Sequence, residues 1–201
     1  MHTENKDEMR DKILEAALKR FTHYGAAKTT MNEIADDLHC SKASLYYYFP
    51  DKKAMHLAVL EKIAEAYFAE MQKVTSHITS AAQALHDIIE VKKGFISKFC
   101  RLEIFKIQKD GPSVFLEGVK RAKQIEIGLT TNVIKAGIAS GEFKVDNAEL
   151  TGDLLVQSLM GLRFSVPDHL SNDEELDEAT FERVIEKQKL LLDIFIKGMQ
   201  A

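Results

Sequence analysis

Thr29-Thr30-Met31-Asn32-Glu33-Ile34-Ala35-Asp36-Asp37-Leu38-His39-Cys40-Ser41-Lys42-Ala43-Ser44-Leu45-Tyr46-Tyr47-Tyr48-Phe49-Pro50-Asp51-Lys52 reads as a helix, a tight turn and a second, short helix. Thr30 and Glu33 stand three apart, the spacing of a capping box: the hydroxyl accepts from the third helical N–H and the carboxylate reaches back to the cap. Ser41 starts the second helix in the same way. Pro50 stops it after about two turns, and Asp51 is a good cap for a third helix. A helix that short needs neighbours to hold it. At 100° per residue Leu45, Tyr48 and Phe49 fall on the side to be held, leaving Ala43, Ser44, Tyr46 and Tyr47 on the outer face.

Working outward, the first helix is expected to start at Thr3 or Asn5 and run to about His23. It carries Ile13, Leu14, Ala17, Leu18 and Phe21 on one face, and Gly25 ends it in a left-handed conformation. From Asp51 a long helix reaches about Ser76, with Leu57, Leu60, Ala64, Tyr67 or Phe68, Met71 and Val74 as its expected stripe. It is read as the mechanical link between a domain at 1–53 and a larger one at 54–201. The segment from Ala81 to Lys109 is apolar nearly all round, so a central helix is expected there. Pro112 opens a broken helix or a pair over 113–140, and Asp146 with Glu149 suggests a capping box for a helix to about Phe164. Residues 165–177 read as an exposed loop. The last helix sets Phe181, Val184, Gln188, Leu191, Phe195 and Met199 at three- and four-residue steps.

Three prolines and ten glycines among 201 residues, with helix formers throughout, predict an all-α fold. At 45% hydrophobic and 29% charged residues the chain has ordinary globular composition. No apolar run is long enough to span a bilayer and the charged N-terminus has no apolar leader, which places the protein in the cytoplasm with no membrane partner. Cys40 and Cys100 belong to no C-x-x-C pair and are expected as free thiols. The net charge of −4 is unevenly spread: residues 1–55 carry nine bases and nine acids, so the deficit lies entirely in 56–201. A neutral front and acidic rear suit a protein that meets DNA at one end.

The short helix has the groups that phosphates require. Thr30, Ser44, Tyr46, Tyr47 and Lys52 are candidates for the DNA backbone, aided by helix N-termini. Lys42 is the candidate base reader, since a lysine there reaches guanine acceptors, and Ala43 allows close approach and can touch a thymine methyl. Tyr48 is assigned to packing. Enzyme chemistry has little support. The seven histidines are scattered, and no H-E-x-x-H pair, G-x-S-x-G elbow, P-loop or dinucleotide fingerprint occurs, so neither metal nor cofactor is expected.

The run from Phe21-Thr22-His23-Tyr24-Gly25 through Thr29–Ala35 to Ser41–Lys52 resembles the DNA-binding domain of the TetR family of bacterial transcriptional regulators. The remaining three-quarters resemble the family only in length, helix content and helix order. The resemblance implies a homodimer made by the last two helices, with Leu155, Leu159, Leu162, Val184, Gln188, Leu191 and Phe195 as candidate contacts. From the residues alone, the same seams serve equally well inside one subunit. The resemblance also implies an effector pocket in the larger domain, with Phe95, Phe99, Cys100, Phe105, Phe115, Gln124, Gln157 and Phe164 in the segments that would line it. No cationic cluster stands among these, so an apolar or amphipathic effector is expected. The expected function is a repressor that binds palindromic operator DNA and is released by that effector. The alternatives are a DNA-binding or partner-binding dimer without small-molecule control and, remotely, an enzyme using the rear pocket.

Overall fold

The computed structural model describes residues 2–99, 113–162 and 178–200, with side chains described over 7–99, 117–162 and 181–200. The described residues form eight helices: α1 (His2–Tyr24), α2 (Met31–Asp37), α3 (Lys42–Tyr48), α4 (Lys52–Val74), α5 (Ala81–Phe99), α6 (Ser113–Ser140), α7 (Ala148–Gly161) and α8 (Glu178–Met199). The fold is all-α, as expected. Residues 113–140 form one helix rather than two. The described residues group into two compact units, one running through Glu65 and including Lys98 and Phe99, the other formed by Ala66–Ser97 and the chain from α6 onward.

The first unit buries Ile13, Leu14, Ala17 and Phe21 of α1 against Met31, Ile34 and Ala35 of α2, Leu45 of α3 and Phe49 behind it. Gly25 adopts φ +83° and its N–H donates to the Phe21 carbonyl at 3.0 Å, so the α1 terminus is the left-handed one that glycine favours. Along α4 the inward stripe holds as expected at Met71, with Tyr67 and Val74 packed beside it, but differs in the first half of the helix. Met55, Val59 and Ile63 are buried, while Leu57, Leu60 and Ala64 are half-buried. Both sets recur at helical spacing, and periodicity alone does not rank two apolar faces of one helix.

The second unit has its core among α5, α6, α7 and α8, with Leu85, Ile88, Ile89, Val133, Ile134, Leu155, Leu159, Ile185, Leu192 and Ile196 in one cluster. Gly152 lies where α7 crosses α6: a Cβ there would come within 2.4 Å of Thr131 Oγ1. Gly161 has no such neighbour among the described residues. The cap of α7 is Asn147, whose side chain accepts from Leu150 N at 2.9 Å. The expected Asp146–Glu149 box does not form, because the helix starts one residue later on Asn147, which places Leu150 at the third position; Glu149 pairs with Lys135 at 2.7 Å.

Leu155, Leu159, Val184 and Gln188, read as candidate dimer contacts, are buried inside this unit, and Gln188 Nε2 donates to the Leu159 carbonyl at 2.7 Å. Leu162, Leu191 and Phe195 are half-buried, the last two against the same core. Leu155, Leu159, Val184 and Gln188 therefore belong to the core of this unit, whereas Leu162, Leu191 and Phe195 keep part of their surface outside it. The outward apolar faces are a different set: Leu150 and Leu154 on α7, Leu190 and Ile194 on α8.

The start of α5 is capped from a distance. Glu142 accepts from Ala81 N (2.6 Å), Ala82 N (2.9 Å) and Ser80 Oγ (2.9 Å). Desolvation pushes its carboxyl up, but the Ala82 and Ala81 amides and the Ser80 hydroxyl outweigh it and leave the group below the ordinary glutamate range. A carboxyl lowered by folding stabilises fully above its unfolded value of about 4.3, and the benefit fades as pH falls through the folded value. Glu142→Gln should therefore cost on the order of 1 kcal/mol at pH 7, the solvent-screened worth of these charge-assisted bonds. Urea melts of both proteins should converge as pH is taken below about 4; an undiminished gap would remove the ionised carboxylate from the account.

Candidate nucleic-acid interface

Each helix around the turn starts on the cap expected for it. Thr30 Oγ1 accepts from Glu33 N at 3.3 Å while Thr30 N donates to Glu33 Oε2 at 2.7 Å, completing the capping box of α2. Ser41 Oγ accepts from Ser44 N at 3.1 Å, and Asp51 Oδ1 accepts from Ala54 N at 2.7 Å. The turn between α2 and α3 passes through His39 at φ +50°, a left-handed residue that lets the chain reverse within a few positions. Arg20 of α1 clamps α2 through a fork on Asp37, with Nε at 2.5 Å from Oδ2 and Nη2 at 2.8 Å from Oδ1, and Glu33 stands 3.5 Å from Nη1. The Arg20 hydrogen bond holds the Asp37 carboxyl below its usual range. Sequence spacing gave no sign of this clamp, since its partners lie 17 residues apart.

With Leu45 and Phe49 buried, the opposite side of α3 is open. Lys42, Ala43, Tyr46 and Tyr47 are exposed, Tyr47 to 68%, and Ser44 is half-exposed. Lys42 Nζ lies 5.8 Å from the centre of the Tyr46 ring, one helical turn on, and Tyr48 packs edge-on against Tyr47 at 5.1 Å. Lys28 and Lys53, which the spacing did not single out, are exposed cations of the same unit.

Two candidates have other duties. Lys52 Nζ donates to the carbonyls of Ala26 (3.0 Å), Ala27 (3.2 Å) and Thr29 (3.0 Å), so all three of its protons hold the connection between α1 and α2. Thr30 Oγ1 donates to Glu33 Oε2 at 2.8 Å and has no second proton for a phosphate. In this arrangement the protons of both side chains are donated within the unit. Lys52→Met should lower stability by about 1–2 kcal/mol, from carbonyls left to solvent. It should leave the salt slope of DNA binding unchanged; a slope shallower by about one would return Lys52 to the phosphates.

Of the expected pocket residues, Phe95 is half-buried in the second unit and Phe99 is buried, with Lys98 over its ring at 5.2 Å. Gln124 is exposed, and Gln157 is exposed with its amide on Asp153 Oδ2 at 2.7 Å, so neither is an interior residue. Cys100, Phe105 and Phe164, and the side chain of Phe115, lie outside the described residues. Among the described residues no cluster of three histidine, cysteine or acidic side chains could hold a metal, and no helix is long and apolar enough to cross a membrane.

Residues 13–59, from the core face of α1 into α4, match the family described as bacterial regulatory proteins, tetR family. A solved transcriptional regulator from Cytophaga hutchinsonii is 32% identical, over 94% of this chain and 97% of its own, with a TM-score of 0.84. The chain belongs to the TetR family. It is a DNA-binding transcriptional regulator. The HTH-type transcriptional regulator RutR of Escherichia coli K12 is 35% identical over 80 residues, 40% of this chain, and the match spans 37% of RutR's length. SmeT of Stenotrophomonas maltophilia, solved in complex with triclosan, has this TetR-family fold at a TM-score of 0.66 and 15% identity, over 96% of this chain and 91% of its own. These relatives are transcriptional regulators, not enzymes.

Proposed function

We propose that the protein is a ligand-responsive repressor that binds palindromic operator DNA as a homodimer and leaves it when a small molecule binds the second unit. The observation that carries the DNA-binding mode is the open face of α3: Lys42 and Ala43 at its start offer base contacts, while Ser44, Tyr46 and Tyr47 offer hydroxyls to phosphates. Leu150 and Leu154 with Leu190 and Ile194 are four large apolar side chains in solvent on two helices packed together, which suits a second copy. Pairing two α3 helices then reads two half-sites separated by one helical turn or more. Ligand control is supported by SmeT, described as the repressor of a multidrug efflux pump and solved with triclosan.

Fluorescence anisotropy against the DNA upstream of the protein's own gene, with scrambled DNA as control, tests this reading. Tight, salt-dependent preference is expected, and Lys42→Ala should reduce affinity for the preferred site by about 1–3 kcal/mol while leaving scrambled DNA little changed. A Lys42→Ala protein that ranks sequences as the parent does would remove α3 from base reading.

A further inference from the structure

Inside the second unit a buried tyrosine stands against an aromatic wall, with a buried ion pair from two further helices close enough for its carboxylate to act on the phenol. Tyr67 of α4 packs edge-on against Phe95 of α5 at 5.3 Å and against Phe68 at 5.1 Å. Its hydroxyl is buried and has no hydrogen-bond partner among the described residues. One turn before Phe95, Lys92 forms an ion pair with Glu126 of α6, the two side chains only 12% and 11% exposed. Burial, and after it the nearby Glu126 carboxylate, push the Tyr67 phenol well above its ordinary range, so it remains a neutral donor.

Among the described residues nothing accepts from the Tyr67 hydroxyl. A buried donor without an acceptor destabilises, and so does an ion pair taken out of water, whereas Phe and Leu would fill the same volume. Both unfavourable features are relieved by a bound group that accepts from the phenol and donates to the carboxylate. A charged ligand gains nothing here, because Lys92 already neutralises Glu126 and an added charge would be buried unpaired.

Resting on the ligand-responsive reading above, we propose that Tyr67, Lys92 and Glu126 are the polar recognition point of the effector site. Its ligand class is a neutral molecule with an aromatic or apolar body and one uncharged group that both accepts and donates, a hydroxyl or a primary carboxamide. Phe95 and Phe68 flank the body, Tyr67 donates to the group's oxygen, and the group donates to Glu126.

A matched set of naphthalenes on the full chain tests this: 2-naphthalenemethanol, 2-naphthamide, 2-methylnaphthalene, 2-naphthoate and 2-naphthylmethylamine, titrated by calorimetry. The alcohol and amide should bind about tenfold more tightly than the methyl compound, and the two ions more weakly still. Tyr67→Phe should abolish that advantage without weakening the methyl compound. The same variant should keep or raise the melting temperature of the free protein, because it deletes an unpaired buried hydroxyl. A tyrosine with a purely structural role, hydrogen-bonded to a buried water, would lower it, and that result overturns the proposal. So does an alcohol that binds no better than the methyl compound, or an alcohol preference that survives Tyr67→Phe. A general compound screen for release of operator DNA separates the two readings. Releasing compounds indifferent to Tyr67→Phe sink this proposal and keep ligand control, whereas no binding by any compound sinks both.

Discussion

A double variant, Leu154→Arg with Leu190→Arg, is expected to be a folded monomer that no longer holds its operator. Both side chains are more than half exposed, at 54% and 63%, so arginine meets no core and stability should change by only about 0.5 kcal/mol per site. Between two copies the same positions would face each other, and four buried like charges would oppose association. Separating the subunits turns binding of two half-sites from a linked event into two independent ones, a loss on the order of 100-fold or more in affinity. Light scattering gives the mass and anisotropy the affinity. An unchanged mass would place the subunit contact on another face.

Leu155→Ala, one residue along the same helix, should do the opposite. Leu155 is 1% exposed in the core of the second unit, and truncating it should cost about 2–5 kcal/mol by lost burial and a residual cavity. Chemical denaturation reads this directly. At low denaturant the surviving folded protein should keep the parent's mass. A stable Leu155→Ala protein with weakened self-association would return Leu155, Leu159 and Val184 to the interface.

These neighbouring leucines mark where legibility in the sequence ended. Helix–turn–helix geometry was readable because each boundary rests on a local rule within four residues: Thr30 with Glu33, Ser41 with Ser44, Asp51 with Ala54. The division of α3 into Leu45 and Phe49 inward and Lys42, Ala43, Tyr46 and Tyr47 outward needed only the helical period. On α4, α7 and α8 that period was insufficient. Each carries apolar residues on two faces, and which face turns inward is decided by partners distant in sequence. The same limit applies to the polar groups. Lys52 reads as a phosphate contact until the three carbonyls from Ala26 to Thr29 close around it. Glu142 reads as an ordinary acid until Ser80, Ala81 and Ala82 meet it. Lys92 and Glu126 lie 34 residues apart on different helices, and only folding brings them together.

The measurement closest to the central claim is a hydroxyl-radical footprint of the full chain on an operator recovered by selection from genomic fragments. Two copies, each presenting α3 to the major groove, predict two protected patches related by a dyad, their centres about one helical turn (~34 Å) or a multiple of it apart. Lys42→Ala should weaken both patches together. A single unsymmetrical patch, or protection spread evenly along any DNA, would contradict paired reading by α3.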